Sequence, residues 1–200
     1  MSRIPEREDL QRALAARHGR AVQEKFNQAT VAICGLGGLG SNIAIALARA
    51  GVGRLILTDF DRVDITNLHR QQYKATQLGE FKTEALAANL REIAPYLTIE
   101  TLAPADVICE AFDNAEAKAM LVNGVLEKLH TKYLIAASGM AGFGSANSIQ
   151  TRRITDRFYL CGDGISDVAD DIGLVSSRVM ICGAHEAHMV LRILSGQFEP

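Results

Sequence analysis

One stretch of this 200-residue chain, residues 30–70, constrains the fold more than any other. It contains a short apolar run, the sequence GLGGLG at positions 35–40, an apolar segment closed by glycines, a second apolar run and a polar string. Glycines let a backbone turn sharply and approach phosphates, and the free amides at a helix start attract their charge. A glycine-rich turn between a strand and a helix therefore predicts a nucleotide-binding unit.

Composition limits what such a chain does. Hydrophobic residues make up 48% of it and charged residues 22%, and the formal net charge is −2, as in ordinary globular proteins. So small a charge gives no reason for general attraction to nucleic acid, and we expect no nucleic-acid partner. The charged N-terminus lacks a signal-peptide core and no apolar run is long enough to span a membrane, so we expect a cytoplasmic protein without a membrane partner.

Apolar runs and helical periodicity alternate along the middle of the chain. Strands are predicted at residues 31–34, 54–58, 96–102, 107–112 and 133–137. Helices are predicted between them, at residues 38–50, 81–92 and 115–129. This alternation predicts an α/β protein with a Rossmann-like, doubly wound and mainly parallel sheet.

The last third of the chain has a different character. Short alternating runs at 148–154 and 158–160 predict antiparallel strands added to the sheet. An acidic loop at 163–171 and a final apolar helix at about 177–194 follow them.

We therefore expect one domain with three parts. Residues 1–28 form a helical arm with a break at His18-Gly19, residues 29–137 form the nucleotide-binding core, and residues 138–200 form the antiparallel extension with its loop and final helix. Such an arm outside the core is expected to pack on a partner subunit or on the sheet edge.

The connection between the third and fourth predicted strands is short. Only residues 103–105 separate Leu102 from Asp106, whereas a crossover between adjacent parallel strands needs about a dozen residues. Either these strands are not neighbours in the sheet, or a loop is missing from the sequence at this point. We favour a missing loop.

A dense set of polar residues follows the second predicted strand. Asp59 ends that strand about 20 residues beyond the last glycine, where an acidic side chain reaches a ribose hydroxyl. Asp61, Asn67 and Arg70 come next, and Lys82 lies near the start of the following helix. Arg70 and Lys82 suit the neutralisation of a triphosphate during phosphoryl or nucleotidyl transfer. Taken singly they are equally compatible with solvated surface charges, and the glycine turn alone does not separate NAD from ATP.

Asp113 follows the fourth predicted strand and begins a helix. With Glu116 it matches the D-x-x-E capping box, which stabilises a helix start by about 0.5–2 kcal/mol. It also lies at the carboxyl end of a strand, where open sheets bind ligands, and a carboxylate there suits Mg²⁺. Its position alone does not decide between the two roles.

The cysteines give no signal for a zinc site or a disulfide frame, because no Cys-x-x-Cys pair occurs. Those in apolar runs are expected to be buried, reduced thiols: Cys34, Cys109 and Cys182. Cys161 lies in LCGDG just before the acidic loop, and we expect it to be exposed. Cys182, His185 and His188 follow each other at three-residue steps, which a packed helix face explains more simply than a metal site.

Taken together, the motifs resemble one family. GLGGLG, the string TDFDRVDITNLHRQQY at 58–73, Lys82 at a helix start and CEAFDNAEAK at 109–118 resemble the ThiF/MoeB/HesA family, the bacterial relatives of ubiquitin-activating enzymes. The resemblance covers nearly the whole chain. The tail, with FYLCGDG at 158–164 and no zinc-binding cysteine pairs, is most similar to short ThiF-type proteins of thiamine biosynthesis.

The resemblance implies a set of nucleotide contacts. They come from the glycine turn, the polar string, the next helix start and the end of the fourth strand: Gly35, Gly37, Gly38, Gly40, Asp59, Asp61, Thr66, Asn67, Leu68, His69, Arg70, Lys82, Asp113 and Asn114. Within this set, Asp59 holds the ribose, Arg70 stabilises the reacting charge together with Lys82, and Asp113 with Asn114 serves Mg²⁺.

Further contributions are implied from outside the core. An arginine in the arm of a second copy reaches the phosphates, and Arg17 and Arg20 are the candidates. Cys161 occupies a region where some family members join an activated carrier protein covalently, because a thiolate is a natural nucleophile toward an acyl-adenylate. Asp163 disfavours a thiolate there and no adjacent base is visible.

The implied activity is ATP-dependent adenylylation of the C-terminal carboxylate of a small ubiquitin-like sulfur-carrier protein. The carrier is of the ThiS type with a Gly-Gly end, and the enzyme is a homodimer that uses ATP and Mg²⁺ but no zinc. Gly139, Gly142 and Gly144 suit either a narrow passage for the carrier's tail or flexible turns. The alternatives are a tRNA-modifying dehydratase of the same family, an NAD-dependent oxidoreductase, and a non-catalytic partner protein with the same fold.

Overall fold

The structure is a computed structural model that describes residues 4–100, 103–168 and 173–200. Its strands are β1 (Thr30–Cys34), β2 (Arg54–Thr58), β3 (Thr98–Glu100), β4 (Val107–Glu110), β5 (Tyr133–Ala137), β6 (Gln150–Arg153) and β7 (Phe158–Gly162). They form one sheet in the order β3-β2-β1-β4-β5-β7-β6, in which every neighbouring pair is parallel except β6 and β7. The predicted α/β class with a mainly parallel, Rossmann-like sheet is confirmed.

Helices cover both faces of this sheet. They are α1 (Arg7–His18), α2 (Arg20–Gln28), α3 (Gly38–Ala50), α4 (Lys82–Ile93), α5 (Ala115–Lys128) and α6 (Ser176–Ser195). Strand side chains alternate between the faces, so Val31 and Ile33 pack in the core with α3, α4 and α6, whereas Ala32 packs in the core with α5. No helix in the described ranges combines the length and apolar character needed to cross a bilayer.

The order of the strands decides where a ligand can bind. The chain moves outward from β1 to β2 and β3 on one side, and then continues from β4 to β5 on the other. The connections leaving the carboxyl ends of β1 and β4 therefore diverge and leave a crevice between them. The glycine turn follows β1 and Asp113 follows β4, so both lie at this crevice.

The strand order also accounts for the short connection between β3 and β4. These strands are not neighbours, because β2 and β1 lie between them. Three strand spacings of about 4.8 Å amount to about 14 Å, which the seven Cα–Cα steps from Glu100 to Val107 can span at up to about 3.3 Å each. The first of the two alternatives is therefore confirmed, and the missing loop, which we favoured, stays a prediction.

Several element boundaries differ from the prediction. The third strand was predicted to run to residue 102, but β3 ends at Glu100 and residues 101–102 lie outside the described residues. Strand β4 ends at Glu110 instead of residue 112. Strand β7 pairs in parallel with β5, so among the described strands β6 alone is antiparallel. The predicted acidic loop is described only to residue 168.

The N-terminal arm packs at one end of α3. Gly19, with φ of 83°, separates α1 from α2 at the predicted break. The Gln23 side-chain amide is within 3.4 Å of the Ala50 carbonyl and 3.3 Å of the Gly51 carbonyl, where α3 ends. The glycine turn lies at the other end of α3, about 20 Å away for a helix of this length. The arm therefore holds the C-terminal end of α3, which is the end far from the crevice.

Gly40 offers a test of the packing at the first strand–helix junction. A Cβ at Gly40 would lie 1.8 Å from the backbone oxygen of Gly35, a contact that only a backbone shift relieves. We expect Gly40→Ala to lower the free energy of unfolding by about 2–4 kcal/mol in urea denaturation. The matched control is Gly124→Ala in α5, where a Cβ meets nothing within 4 Å. This variant should raise the free energy of unfolding by about 0.5–1 kcal/mol. Equal stability of Gly40→Ala and the unmodified chain would contradict this packing.

Candidate active site

The glycine turn, residues 35–40, is sterically closed at Gly35 and Gly40 and open at Gly37. Gly35 has φ of 95° and a Cβ there would lie 2.6 Å from the Ala111 oxygen, while Gly40 is closed by Gly35 itself. At Gly37, by contrast, the nearest atom to a Cβ is the Gln71 amide nitrogen at 3.9 Å. No side chain in the described ranges caps the start of α3. Its first amides are therefore available to an anion on the open side.

Asp59 joins this turn to the end of β2. One oxygen of its carboxylate accepts a hydrogen bond from the Leu36 amide at 2.6 Å, and the other accepts one from the Asp61 amide at 2.8 Å. The side chain is only 8% exposed. The structure therefore places Asp59 against the turn, as the sequence predicts, and gives it a role in holding the turn in addition to the predicted contact with ribose.

Lys82 is buried beside Asp59. Its ammonium group donates to Asp61 at 2.7 Å and lies 3.8 Å from Asp59, and the residue is 5% exposed. A lysine buried to this degree needs charged partners, and the two carboxylates supply them. Lys82, the first residue of α4, is thus linked to the glycine turn through the carboxylate of Asp59.

Arg70 packs directly on the turn. Its Cγ atom would lie 3.2 Å from a Cβ at Gly38, so the arginine occupies the space that a side chain there would need. Its terminal nitrogen donates to the Asn67 side-chain oxygen at 2.8 Å. The buried Nε atom has no hydrogen-bond partner within the described part of the chain. Arg70 thus lies on the glycine turn, and Lys82 is linked to the turn through Asp59.

The residues that precede Arg70, from Asp64 to His69, bond mainly to one another and to nearby backbone. The Thr66 hydroxyl and amide both donate to Asp64, at 2.5 and 2.8 Å, and these hydrogen bonds lower the pKa of the Asp64 carboxyl. His69 lies 3.1 Å from the Thr66 carbonyl and 3.4 Å from the Leu174 carbonyl, and the Leu68 side chain packs against the core. Within the described residues, Thr66 and His69 thus hold the local backbone.

The end of β4 corrects one of the two roles considered for Asp113. The Asn114 side chain, not that of Asp113, caps α5 by accepting from the Ala117 amide at 2.9 Å. The capping-box role of Asp113 was therefore wrong, because α5 begins at Ala115 and its N-cap position is Asn114, one residue after Asp113. Across the described ranges no hydrogen bond or ion pair involves the exposed Asp113 carboxylate, which leaves it able to bind a cation.

Cys161 is a second correction. It lies in β7 with 0% exposure, and burial, followed by the charge of Glu186, raises the pKa of its thiol. The expected exposure of Cys161 was wrong, because β7 continues to Gly162 and its alternate residues, Cys161 among them, pack in the core with α6. A buried neutral thiol is a poor nucleophile, so Cys161 has no place in the site.

The remaining cysteines and histidines form no metal centre in the described ranges. All four cysteines are free thiols, and Cys109 and Cys182 are buried as predicted whereas Cys34 is partly exposed. His185 bonds the Thr151 hydroxyl at 3.0 Å, and burial, with the charge of His188, lowers its pKa. A packed helix face, the simpler of the two explanations, accounts for Cys182, whereas His185 is partly exposed and His188 is exposed.

Arg17 and Arg20 are not brought to the chain's own glycine turn. Both lie exposed in the arm, which packs at the opposite end of α3. Any contact of these arginines with a nucleotide therefore needs a second copy of the chain.

Several polar groups at the crevice were not identified from the sequence. Gln71 is 7% exposed, its side-chain oxygen has no partner within the described ranges, and it overlooks the open side of Gly37. Glu110, fully buried, pairs with Lys118 and accepts from the Phe112 amide at 2.8 Å. The signal for Gln71 was its place directly after Arg70, and that for Glu110 was an acidic residue ending an apolar strand.

A buried ion pair beside the loops after β5 and β7 was also not identified from the sequence. Arg178, near the start of α6, pairs with Asp163 and also donates to the Gly144 and Ser145 carbonyls at 2.6 and 2.7 Å. Both side chains are 5% exposed. This clamp fixes the loop after β5 against the loop after β7. Gly139 is part of it, because its φ of 80° and its contact with Asp163 leave no room for a side chain.

The chain belongs to the ThiF family, whose family model matches residues 9–200. Ubiquitin-like modifier-activating enzyme 5 from Bombyx mori is 43% identical over 77 residues, which are 38% of this chain and 20% of that protein. Adenylyltransferase and sulfurtransferase MOCS3-1 from Zea mays is 36% identical over 119 residues, which are 57% of this chain and 24% of that protein. The chain thus spans about a fifth to a quarter of these curated relatives.

Solved structures share the fold. The E. coli tRNA N6-threonylcarbamoyladenosine dehydratase TcdA, in complex with ATP, superimposes with a TM-score of 0.83 at 20% identity, covering 94% of this chain and 95% of that one. E. coli MccB with succinimide gives a TM-score of 0.70 at 22% identity, covering 90% and 60%. At these identities the likeness establishes a common architecture.

The Asp163–Arg178 pair generates a prediction about acid stability. Burial raises the pKa of Asp163, but hydrogen bonds from the Ser166 and Ile165 amides, the Ser166 hydroxyl and Arg178 outweigh it and lower the pKa from 3.8 to about 2. Since the folded-state pKa is the lower one, the carboxylate stabilises the fold above about pH 4, and this contribution is lost as the pH falls toward 2.

We expect the free energy of unfolding, measured in urea, to fall between about pH 5 and pH 2 by more in the unmodified chain than in Asp163→Asn. The difference should be on the order of 1–2 kcal/mol. The amide cannot titrate, so it serves as the matched control. Parallel pH profiles of the two proteins would show that Asp163 does not titrate as proposed.

Proposed function

We propose that this protein is an ATP-dependent adenylyltransferase that acts on the C-terminal carboxylate of a small ubiquitin-like sulfur-carrier protein. The observation that carries the proposal is the packing of Arg70 on the glycine turn together with the burial of Lys82 beside Asp59, the carboxylate that bonds the turn. A dinucleotide-binding oxidoreductase needs the turn and Asp59 but has no use for a buried lysine and an arginine at the same place. Membership of the ThiF family and similarity to relatives named as modifier-activating and adenylyltransferase enzymes point the same way.

The reaction requires that two anions, the carboxylate of the carrier and the triphosphate of ATP, be aligned. The carboxylate oxygen attacks the α-phosphorus of ATP, the bond to the bridging oxygen breaks, and pyrophosphate leaves with its electron pair, giving an acyl-adenylate. The protein contributes by holding the triphosphate at the free amides of α3 and by cancelling charge with Arg70 and Lys82. No nucleophile of the protein is needed for this step, which agrees with the burial of Cys161.

Mg²⁺ fits one position in the crevice. Asp113 presents an exposed carboxylate with no protein partner in the described ranges, at the carboxyl end of β4. A hard cation prefers such an oxygen ligand and shares it with substrate phosphates. When bound there, Mg²⁺ would offset the charge of the departing pyrophosphate, and Asp113 would hold it while Asn114 remains the cap of α5.

The finer assignment is to a ThiS-type carrier with a Gly-Gly end in thiamine thiazole sulfur transfer. It rests on the family resemblance of the chain's tail at 158–164. We further propose a cytoplasmic homodimer, in which Arg20 of one arm serves the phosphates of the other subunit. The four free thiols suit a reducing compartment.

A tRNA substrate is the second candidate. TcdA, the neighbour whose own name refers to a modified tRNA nucleoside, matches this chain over nearly its full length. The adenylation chemistry at Arg70 and Lys82 would be the same in both cases. A net charge of −2 weighs against tRNA, because tRNA-binding surfaces depend on clustered Lys and Arg.

The direct test is exchange of labelled pyrophosphate into ATP in the presence of candidate carriers. We expect carrier-dependent exchange, and Arg70→Ala should lower its rate by about 10²–10³-fold because a charge-stabilising group is lost. The matched control is Arg91→Ala, an exposed arginine near the end of α4, which should stay within about twofold. No exchange with a folded carrier would remove the proposal, and exchange that requires tRNA in place of the carrier would establish the second candidate.

Thermal unfolding separates the adenylyltransferase from an oxidoreductase. A ligand that binds only the folded chain raises its Tm, and at about 100 times its Kd the stabilisation of about 2.7 kcal/mol amounts to about 5 °C or more. We expect this shift with Mg-ATP and a smaller one with NAD at the same concentration. A larger shift with NAD would favour the oxidoreductase.

A further inference from the structure

Three successive carbonyls of the glycine turn each accept a hydrogen bond from a side chain. The pairs, at 2.7, 2.6 and 2.6 Å, are Tyr73 Oη to Leu36 O, Ser41 Oγ to Gly37 O, and Asn42 Nδ2 to Gly38 O. Tyr73 and Ser41 are buried and Asn42 is half-buried. The backbone of the turn is therefore held by donors from the chain's own α3 and from the segment that follows Arg70.

Gln72 connects these donors to the arginine segment. Its backbone amide donates to Ser41 Oγ at 3.1 Å, and its side-chain amide donates to Asn42 Oδ1 at 2.8 Å. From the other side, the Asn89 side chain in α4 donates to the Gln72 carbonyl at 2.9 Å. Gln72 is thus fixed between α3 and α4, two residues beyond Arg70.

The arginine itself is located by the same network. Asn42 Nδ2 lies 3.4 Å from the Arg70 carbonyl, and the Arg70 stem packs at the position that a Gly38 side chain would occupy. The backbone and the stem are therefore held, whereas the buried Nε has no partner within the described ranges. An unpaired buried donor beside an open anion cradle is the state expected of a group waiting for an anionic ligand.

We propose that Gln72 and Asn42 are positioning residues that hold the Arg70 guanidinium over the glycine turn before the nucleotide binds. The inference rests on the proposed function, because it assigns to Arg70 the charge of a reacting nucleoside triphosphate. In this proposal each amide acts through the placement of Arg70. A misplacement of about 1 Å at such a group can cost up to about a hundredfold in rate.

The matched variants are Gln72→Met and Gln72→Lys. Both keep the length of an unbranched side chain, but only the lysine can still donate to Asn42 Oδ1. In the exchange assay we expect Gln72→Met to lower kcat by about ten- to a hundredfold while the KM for ATP changes by less than about threefold. Gln72→Lys should restore most of the rate. In an Arg70→Ala background the methionine should have no further effect, because its only route to the reaction is removed.

A second measurement works without activity. In the full chain without nucleotide, the ¹⁵N order parameter of the Arg70 Nε–H group should lie above about 0.6 in the unmodified protein and in Gln72→Lys, and below it in Gln72→Met. If the unmodified protein shows no exchange, the proposed function fails, and this order parameter still decides the positioning role. If Gln72→Met does not fold, Asn42→Ala, which removes the acceptor of the Gln72 side-chain amide, replaces it. An unchanged order parameter, or an equal loss of kcat with and without Arg70, would overturn the inference.

Discussion

The hydrogen bond from the Leu36 amide to the Asp59 carboxylate, 2.6 Å long, fastens the glycine turn to the end of β2. Strands β1 and β2 are parallel neighbours, so the turn after one and the first polar residue after the other emerge at the same edge. A charged acceptor makes this bond about twice as strong as a neutral one. It also sets a negative charge beside the turn, which is why Lys82 can be buried there and why Asp61 completes its coordination.

Two networks of side-chain hydrogen bonds hold the loops that line the crevice. On one wall, the donors from α3 and from residues 70–73 hold the turn and Arg70. On the other wall, the Arg178–Asp163 pair ties the loops after β5 and β7 to the start of α6. Both walls consist of loops at the carboxyl ends of strands, where backbone polar groups are not consumed by the sheet. Side-chain hydrogen bonds supply the rigidity that the sheet does not.

The sequence predicts those features that depend on local sterics or on strand order. The turn was predictable because Gly35 and Gly40 face backbone atoms that no side chain could avoid. The choice of Asn114 over Asp113 as the cap was not, because both residue types cap helices and a shift of one residue in the helix start decides between them. The burial of Cys161 depends on how far β7 runs beside β5, and a glycine-rich acidic sequence suggests the opposite. The role of Gln72 depends on Asn42, 30 residues away, which no periodicity reveals.

Gly38 is where the two networks meet. A Cβ at this position would lie 3.0 Å from the Val179 side chain of α6 and 3.2 Å from the Arg70 stem. These distances are tighter than ordinary packing, so even a methyl group would force α6 or Arg70 to move. Its backbone is not in the left-handed region, because it lies within regular helix at the start of α3. The third glycine of GLGGLG is therefore required for side-chain convergence, and the position of Arg70 is coupled through it to the helix that carries Arg178.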